Sequence, residues 1–300
     1  MTKLEDVADV GWSNLSGKRA VVTGSTSGIG RKTALALGRL GADIFVHGRD
    51  ERAGEEVVKR ARNDGTEAEF VRADFENPDE VRELAREAKG GDIDILVNNA
   101  GGFFSGRRTT SLGVVPSFHI NHLAHYQLTA ELIDSLSAGE GARVVTVSSI
   151  EHRFAGFDLE AVEKSGRLPY VSASRAYRRS KLANVLFAKE LARKSKEVGV
   201  EIRSNSLHPG WVPETGMNRS LPYPISSVAR SFRHLPFASS VTETASAVLY
   251  LVASEETEGV SGEHFAGRET REPSGAAKDV KNQRRLWRKS AQLLGIEEPL

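Results

Sequence analysis

No cysteine occurs in the 300 residues. Disulfides, thiolate metal sites and cysteine nucleophiles are thereby excluded, and a reducing compartment fits. Neither sign of charge is in excess: 41 Lys and Arg face 40 Asp and Glu, a formal net charge of +1. Nothing in that balance argues for nucleic acid. No apolar run approaches the ~20 residues of a membrane span, and the opening Met1-Thr2-Lys3-Leu4-Glu5-Asp6 is too polar for a signal peptide. The expectation is a soluble cytoplasmic protein. No repeat or low-complexity tract appears. With 39% hydrophobic and 27% charged residues, the composition is ordinary for a globular chain long enough for one large domain.

What is present is organised around one glycine turn. An apolar run, Ala20 to Val22, enters Thr23-Gly24-Ser25-Thr26-Ser27-Gly28-Ile29-Gly30, and a helical pattern with Ile29, Ala34, Leu37 and Leu40 leaves it. Strand, glycine turn and helix point bare N–H groups and a helix N-terminus at a phosphate. Gly24 permits the tight turn, Gly28 lets the backbone approach a pyrophosphate, and Gly30 lets the helix sit close on the strand. The spacing Gly-x-x-x-Gly-x-Gly is not the general dinucleotide fingerprint, and no Gly-Lys-Ser/Thr follows to make a Walker loop. Taken alone, the turn fits dinucleotide binding and an ordinary strand–helix connection equally.

The remaining pattern alternates. Further strands are expected over Asp43–His47, Ala68–Arg72, Ile93–Val97, Ala142–Val147, Val200–Leu207 and His264–Ala266. Helices are expected over Arg52–Asn63, from Pro78 onward, and over Val115–Leu136, Ala176–Val198 and Thr242–Val252. Residues 1–17 read as a surface lead-in. Unbroken alternation means an α/β fold of one domain, 1–300, with a parallel sheet and helices on both faces. Ligands of such sheets lie beyond the carboxyl ends of the strands. Gly24, Arg49, Asp74, Asn99, Ser149 and Pro209 all fall there.

Several side chains carry chemistry. Tyr177 and Lys181 lie four apart on one helix face. A free phenol titrates near ~10, and bringing it to neutrality takes ~4 kcal/mol in favour of the phenolate. One ammonium ~4 Å away at an effective dielectric of ~20 supplies about that much, with desolvation working against it. The same spacing also occurs on solvated helix faces. Ser148 and Ser149 end the fifth strand, where a hydroxyl can hold a carbonyl oxygen or simply cap a turn. Asn121 interrupts an apolar helix, where asparagine often has a bonding duty. His119, His122, His125 and His208 have no carboxylate at ligand spacing and read as ordinary polar positions; no metal is expected.

Thr23-Gly24-x-x-x-Gly28-x-Gly30, Asn98-Asn99-Ala100-Gly101, Ser149, Tyr177-x-x-x-Lys181 and His208-Pro209-Gly210 follow in this order. Together they resemble the short-chain dehydrogenase/reductase family, from about Gly17 to the C-terminus. Ile120-Asn121-His122-Leu123-Ala124-His125, Ser180-Lys181-Leu182-Ala183-Asn184-Val185-Leu186-Phe187, Asn205-Ser206-Leu207-His208-Pro209-Gly210 and Arg285-Leu286-Trp287 are similar to the branch of retinol dehydrogenases and WW-domain oxidoreductases. The resemblance implies a doubly wound Rossmann-type sheet of about seven strands in the order 3-2-1-4-5-6-7. It implies a catalytic tetrad: Tyr177 as general acid and base, Lys181 lowering its pKa and gripping the nicotinamide ribose, Ser149 on the substrate oxygen, and Asn121 holding a relay water. Gly24, Ser25, Thr26, Ser27, Gly28, Ile29, Gly30, Arg49, Asp74, Phe75, Asn99, Ala100, Gly101, Pro209 and Gly210 are the implied cofactor residues. Asp74 binds the adenine amino group in that scheme. Self-association through the two long helices is a further expectation.

Cofactor choice turns on the end of the second strand. An acid there hydrogen-bonds the ribose of NAD, and an arginine accepts a 2′-phosphate. By family alignment Gly48 stands where NAD-preferring members carry the acid, and Arg49 follows; NADP(H) is favoured, with Asp50 the competing residue. The family's threonine four residues after Gly210 is replaced by Glu214, with Thr215 one later. Residues 211–240 hold Trp211, Leu221, Tyr223, Ile225, Phe232, Leu235 and Phe237, suggesting a cover for a bulky lipophilic substrate, or a loop packed on the core. The tail 276–294 has Val280, Trp287, Ala291 and Leu294 along one face, flanked by six cations. It suits an anionic membrane or its own domain, and docking on the domain is favoured. The expected activity is an NADP(H)-dependent ketoreductase-type oxidoreductase interconverting carbonyl and alcohol. The alternatives are a catalytically silent, cofactor-sensing interaction protein and a C=C reductase; the similar C=C reductases rely on a cysteine.

Overall fold

The computed structural model describes residues 3–104, 108–138, 141–160, 169–210 and 240–300, with the backbone alone at 169–172. Eight strands form one sheet: β1 (Arg19–Val22), β2 (Asp43–Gly48), β3 (Ala68–Arg72), β4 (Ile95–Asn98), β5 (Ala142–Val147), β6 (Ile202–His208), β7 (His264–Ala266) and β8 (Glu269–Thr270). Their order is β3-β2-β1-β4-β5-β6-β7-β8. Every pairing is parallel except β7 with β8. The expected seven-strand order is therefore present, extended by a two-residue antiparallel strand too short to carry a period. β1 pairs with β2 on one side and β4 on the other, so the chain reverses its winding direction there. The connections after β1 and β4 leave toward opposite faces and open a crevice at their carboxyl ends.

Alternation along the central strands fills both layers. Ala20, Val22, Ile95 and Val97 face one layer, packed with Ala34, Leu37 and Val57 from α2 (Gly28–Arg39) and α3 (Glu51–Asn63). Val21, Phe45 and Leu96 face the other, with Leu84 from α4 (Pro78–Ala88) and Leu128, Phe187 and Trp287. Such two-sided burial makes the strands read as continuous apolar runs. Helix starts follow local chemistry. Pro78 sits at the first turn of α4, whose preceding Asn77 accepts from the Asp79 N–H at 3.1 Å.

Three expectations change. The lead-in is not featureless: Leu4–Val7 forms the helical turn α1, buries Leu4, Ala8 and Val10, and pairs Glu5 with Arg39. The long helix over 115–136 is segmented into α5 (Pro116–Phe118), a π turn (His119–Leu123), α6 (Ala124–Glu131) and α7 (Ile133–Ala138). The next long helix, α8 (Pro169–Val198), starts earlier than its pattern indicates. It is followed by α9 (Val241–Ala253), whose Ser240 and Glu243 make a reciprocal cap.

The tail divides at Asp279 into α10 (Gly275–Lys278) and α11 (Val280–Leu294), with Asp279 capping α11. α11 docks on the domain: Leu286 and Trp287 are buried, and Trp287 stacks on Phe187 at 5.8 Å. Val280, expected on that apolar face, is instead 42% exposed. Among the described residues no helix is long and apolar enough to cross a membrane.

Candidate active site

The glycine turn between β1 and α2 adopts the expected conformation. Gly24 has φ +64°, and a Cβ there would stand 2.9 Å from Ala100 Cα; at Gly30 it would stand 2.5 Å from Gly24 O. Gly28 has φ +58° and nothing within 4 Å on its Cβ side. Its backbone therefore opens to space at the N-terminus of a twelve-residue helix, which suits an anion. A cleft of about 340 Å³ begins at this turn. Thr26, Ser27, Gly28 and Ile29 line it, followed by Arg49, Asp74 and Phe75, then Asn99, Ala100 and Gly101, and finally Ser149, Tyr177, Lys181, Pro209 and Gly210. Of the expected cofactor residues, Ser25 and Gly30 stand behind this wall. Ser25 Oγ turns inward, donating to Val22 O at 2.7 Å and accepting from His47 N at 2.9 Å.

At the end of β2, Arg49 and Asp50 have different surroundings. Asp50 is the N-cap of α3, its carboxylate accepting from the Ala53 N–H at 3.0 Å. Arg49 reaches over the cleft to within 3.7 Å of Asp74, its guanidinium 67% exposed. A Cβ at Gly48 would lie 2.4 Å from Thr26 Cγ2. An acidic side chain at position 48 therefore has no room unless Thr26 moves.

The tetrad residues gather at the other end. Ser149 ends the turn after β5, and its hydroxyl bonds the Tyr177 phenol while accepting from the Glu151 N–H at 3.3 Å. Both serines line the cleft, but the Ser148 hydroxyl is spent structurally, donating to Lys181 O at 2.7 Å. Lys181 Nζ donates to Val147 O at 3.0 Å and lies 5.8 Å from the Tyr177 ring centre. Arg178 pairs with Glu151 at 2.6 Å, tying the serine turn to the helix that carries Tyr177. Asn121 sits inside the π turn. Its Oδ1 accepts from Gly102 N at 2.9 Å, and its Nδ2 donates to Gly102 O and Ser180 Oγ, each at 3.0 Å. A Cβ at Gly101 would come within 2.7 Å of Asn121 Oδ1, so this contact needs glycine. π turns recur at functional sites because they shift one residue out of the helical ladder.

The electrostatics correct one expectation. Burial pushes the Tyr177 phenol up to about 12, opposed by its bond to Ser149 and reinforced by Glu151. Burial likewise pulls Lys181 down to about 8. The spacing predicts an ammonium ~4 Å from the phenol, acting against desolvation; instead the ammonium turns to a main-chain carbonyl, and desolvation wins. Burial thus favours the protonated phenol.

The histidines read as ordinary are not all ordinary. His125, fully buried, bonds Thr23 Oγ1 through Nε2 and Asn121 O through Nδ1, each at 3.0 Å. His47, missed entirely, accepts from Gly24 N at 3.1 Å and bonds Ala73 O at 3.0 Å. His47 stacks on Phe75 at 4.4 Å, and Phe75 meets His125 edge-on at 5.1 Å. A period of two marks His47 as inward-facing, but nothing local says what it meets. His122 bonds Ser290 Oγ at 2.8 Å and anchors α11. Phe103 packs on Tyr177 at 5.9 Å, and the neighbouring Phe104 lines the cleft. Thr215 and the expected substrate cover, 211–240, apart from Ser240, lie outside the described residues.

The residues present fit a nicotinamide dinucleotide. The open positive-φ Gly28 at a helix N-terminus suits a pyrophosphate, and one continuous cleft joins it to the Tyr177–Lys181 end. Comparison with known proteins points the same way. A family model described as short chain dehydrogenase matches residues 18–224. Polyprenol dehydrogenase of Mus musculus is 38% identical over 287 residues, covering 93% of this chain and 84% of that protein. Retinol dehydrogenase 13 of Homo sapiens is 35% identical, covering 96% and 87%. Among solved structures, a short chain dehydrogenase from Burkholderia cenocepacia J2315 in complex with NADP has a TM-score of 0.67 at 26% identity, covering 89% of this chain and 100% of that one.

Proposed function

The chain belongs to the short-chain dehydrogenase family and is an oxidoreductase acting on CH–OH groups; from that premise we propose that it interconverts a lipophilic alcohol and its carbonyl with a preference for NADP(H). The observation that carries this reading is the buried Ser149–Tyr177–Lys181 cluster opening into the same cleft as the Gly28 turn. A bound nicotinamide supplies the hydride in reduction and accepts it in oxidation. Tyr177 gives its phenolic proton to the substrate oxygen in reduction; the reverse step, in oxidation, starts from the phenolate, whose share rises with pH. Ser149 donates a hydrogen bond to that oxygen, orienting it against the phenol. Lys181 would hold the cofactor ribose, its ammonium standing 5.8 Å from the Tyr177 ring centre. Asn121 pins the 98–102 loop to α8 through Gly102 and Ser180.

The preference for NADP(H) is supported by three features of the β2 end. Gly48 has no room for an acid, Asp50 is occupied as a cap, and Arg49 overhangs the cleft. A guanidinium matches a phosphate in geometry and charge. The lipophilic substrate is supported by Phe104 and Ile120 in the cleft wall and by relatives named for polyprenol and retinol, both long apolar alcohols.

The test is NADPH oxidation over a panel of retinal, isoprenoid aldehydes and short polar ketones, with Tyr177→Phe as control. Apolar aldehydes are expected to turn over fastest, and the control is expected to lose nearly all activity. Equal turnover by Tyr177→Phe discards the assigned acid. Titration of NADPH and NADH into Arg49→Leu checks the cofactor: NADPH binding is expected to weaken by about tenfold or more, and NADH binding by far less.

A further inference from the structure

We propose that His125 is a positioning residue that couples the cofactor turn to the catalytic helix, holding Thr23 with one ring nitrogen and Asn121 with the other. The role rests on the reading above, since it concerns how that site is held in shape. No proton is transferred to substrate through the ring.

The argument starts from the tautomer. Nδ1 faces the Asn121 carbonyl at 3.0 Å, an acceptor, so Nδ1 carries the hydrogen. Nε2 is then a lone pair, and it faces Thr23 Oγ1 at 3.0 Å. The Thr23 hydroxyl hydrogen has two acceptors within reach, Nε2 and Val97 O at 3.1 Å. Val97 O already accepts from the Thr23 N–H at 3.0 Å. Donation to His125 leaves both Thr23 lone pairs for the N–H groups of Asn99 and Ala100, at 2.8 and 2.9 Å. Thr23 precedes the glycine turn, and Asn99 and Ala100 line the cleft. Through Thr23, one imidazole thus orders the glycine turn and the Asn99–Ala100 loop along the cofactor wall.

The other nitrogen acts on the catalytic side. The Asn121 carbonyl lies in the π turn, where the helical ladder is displaced. His125 Nδ1–H holds that peptide, and the same residue's side chain grips Gly102 and Ser180, one helical turn from Tyr177. The ring stays neutral because burial opposes its charging more than the bond to the Asn121 carbonyl favours it, with the Lys181 ammonium adding to the opposition. His122, on the same helix, supplies a contrast. It is equally buried, but its bond goes to Ser290 on α11, away from the cleft.

The two nitrogens can be tested separately. His125→Asn keeps a donor near the Nδ1 position and loses the Thr23 contact. His125→Gln keeps an acceptor near the Nε2 position and loses the Asn121 contact. NADPH affinity is read by fluorescence titration, and kcat on the panel aldehyde reduced fastest by wild type. His125→Asn is expected to raise the NADPH Kd about tenfold with kcat nearly unchanged, the effect of one ordinary hydrogen bond. His125→Gln is expected to do the reverse. Thr23→Val, which removes that contact together with the acceptor of the Asn99 and Ala100 N–H groups, is expected to raise the NADPH Kd at least as much as His125→Asn. His122→Gln is expected to lower the melting temperature and leave both constants alone. Parallel loss of both constants in the two His125 variants, or no change in either, overturns the role. Wild-type protein that binds NADPH and reduces an aldehyde while the variants fail to split leaves the proposed function standing and removes only His125. Wild-type protein that binds no nicotinamide dinucleotide overturns the function and this role with it.

Discussion

Replacing Lys181 by methionine is expected to abolish activity and stabilise the fold. The side chain is 5% exposed, and its ammonium donates to Val147 O at 3.0 Å. Burial lowers its pKa from 10.5 to about 8. A lowered lysine pKa means the folded state disfavours the proton that the unfolded chain binds freely. The penalty is absent above pH 10.5, grows as pH falls toward about 8, and stays constant below that. At neutral pH it amounts to about 3 kcal/mol. Methionine, of similar length and uncharged, escapes it. Against this stands one lost hydrogen bond, about 1 kcal/mol. Val147 O keeps its other donor, Asn184 Nδ2 at 3.0 Å, so no carbonyl is orphaned. The net gain is about 2 kcal/mol, or about 3 °C in a chain of this length. Thermal unfolding at neutral pH and again near pH 10.5 measures it. A variant that melts at or below wild type at neutral pH, or a gap that does not shrink with alkali, refutes the reasoning.

Three further outcomes follow from the same structure. The reductive kcat is expected to stay level through neutrality, because Tyr177 at about 12 remains protonated, and to fall above about pH 8 as Lys181 loses its charge; a pH–rate profile that stays level well beyond that point removes the ammonium from the reaction. Asp50→Ala is expected to cost about 1 kcal/mol of stability through loss of the α3 cap and to leave the NADPH to NADH preference unchanged, as paired melting and titration experiments will show. Trp287→Ala, which empties the contact with Phe187 and Tyr126, is expected to cost about 3–5 kcal/mol in chemical unfolding, and a loss below about 1 kcal/mol would mean α11 is not docked as described.

The sequence alone determined the scaffold and the location of the chemistry. Ala68–Arg72, Ala142–Val147 and His264–Ala266 form strands at the bounds their patterns indicate, because strand and helix periods are local properties of the chain. The glycine turn was legible for the same reason: steric limits on φ act on one residue and its neighbours. Ser149 could be placed at the strand-end crevice because an alternating parallel sheet puts all such ends together, whereas Tyr177 and Lys181, on a helix, were assigned there by the family resemblance. Only the tertiary structure decided what each group feels there. The Tyr177–Lys181 spacing is a helical fact, but the direction in which the phenol's pKa moves depends on how much of the rest of the protein excludes water from it. His125 and His122 are three residues apart with similar flanks, yet one reaches the cofactor turn and the other the C-terminal helix. Partners separated by 102 and 168 positions leave no local pattern, so a histidine's role became readable only when the folded chain showed what faces each nitrogen.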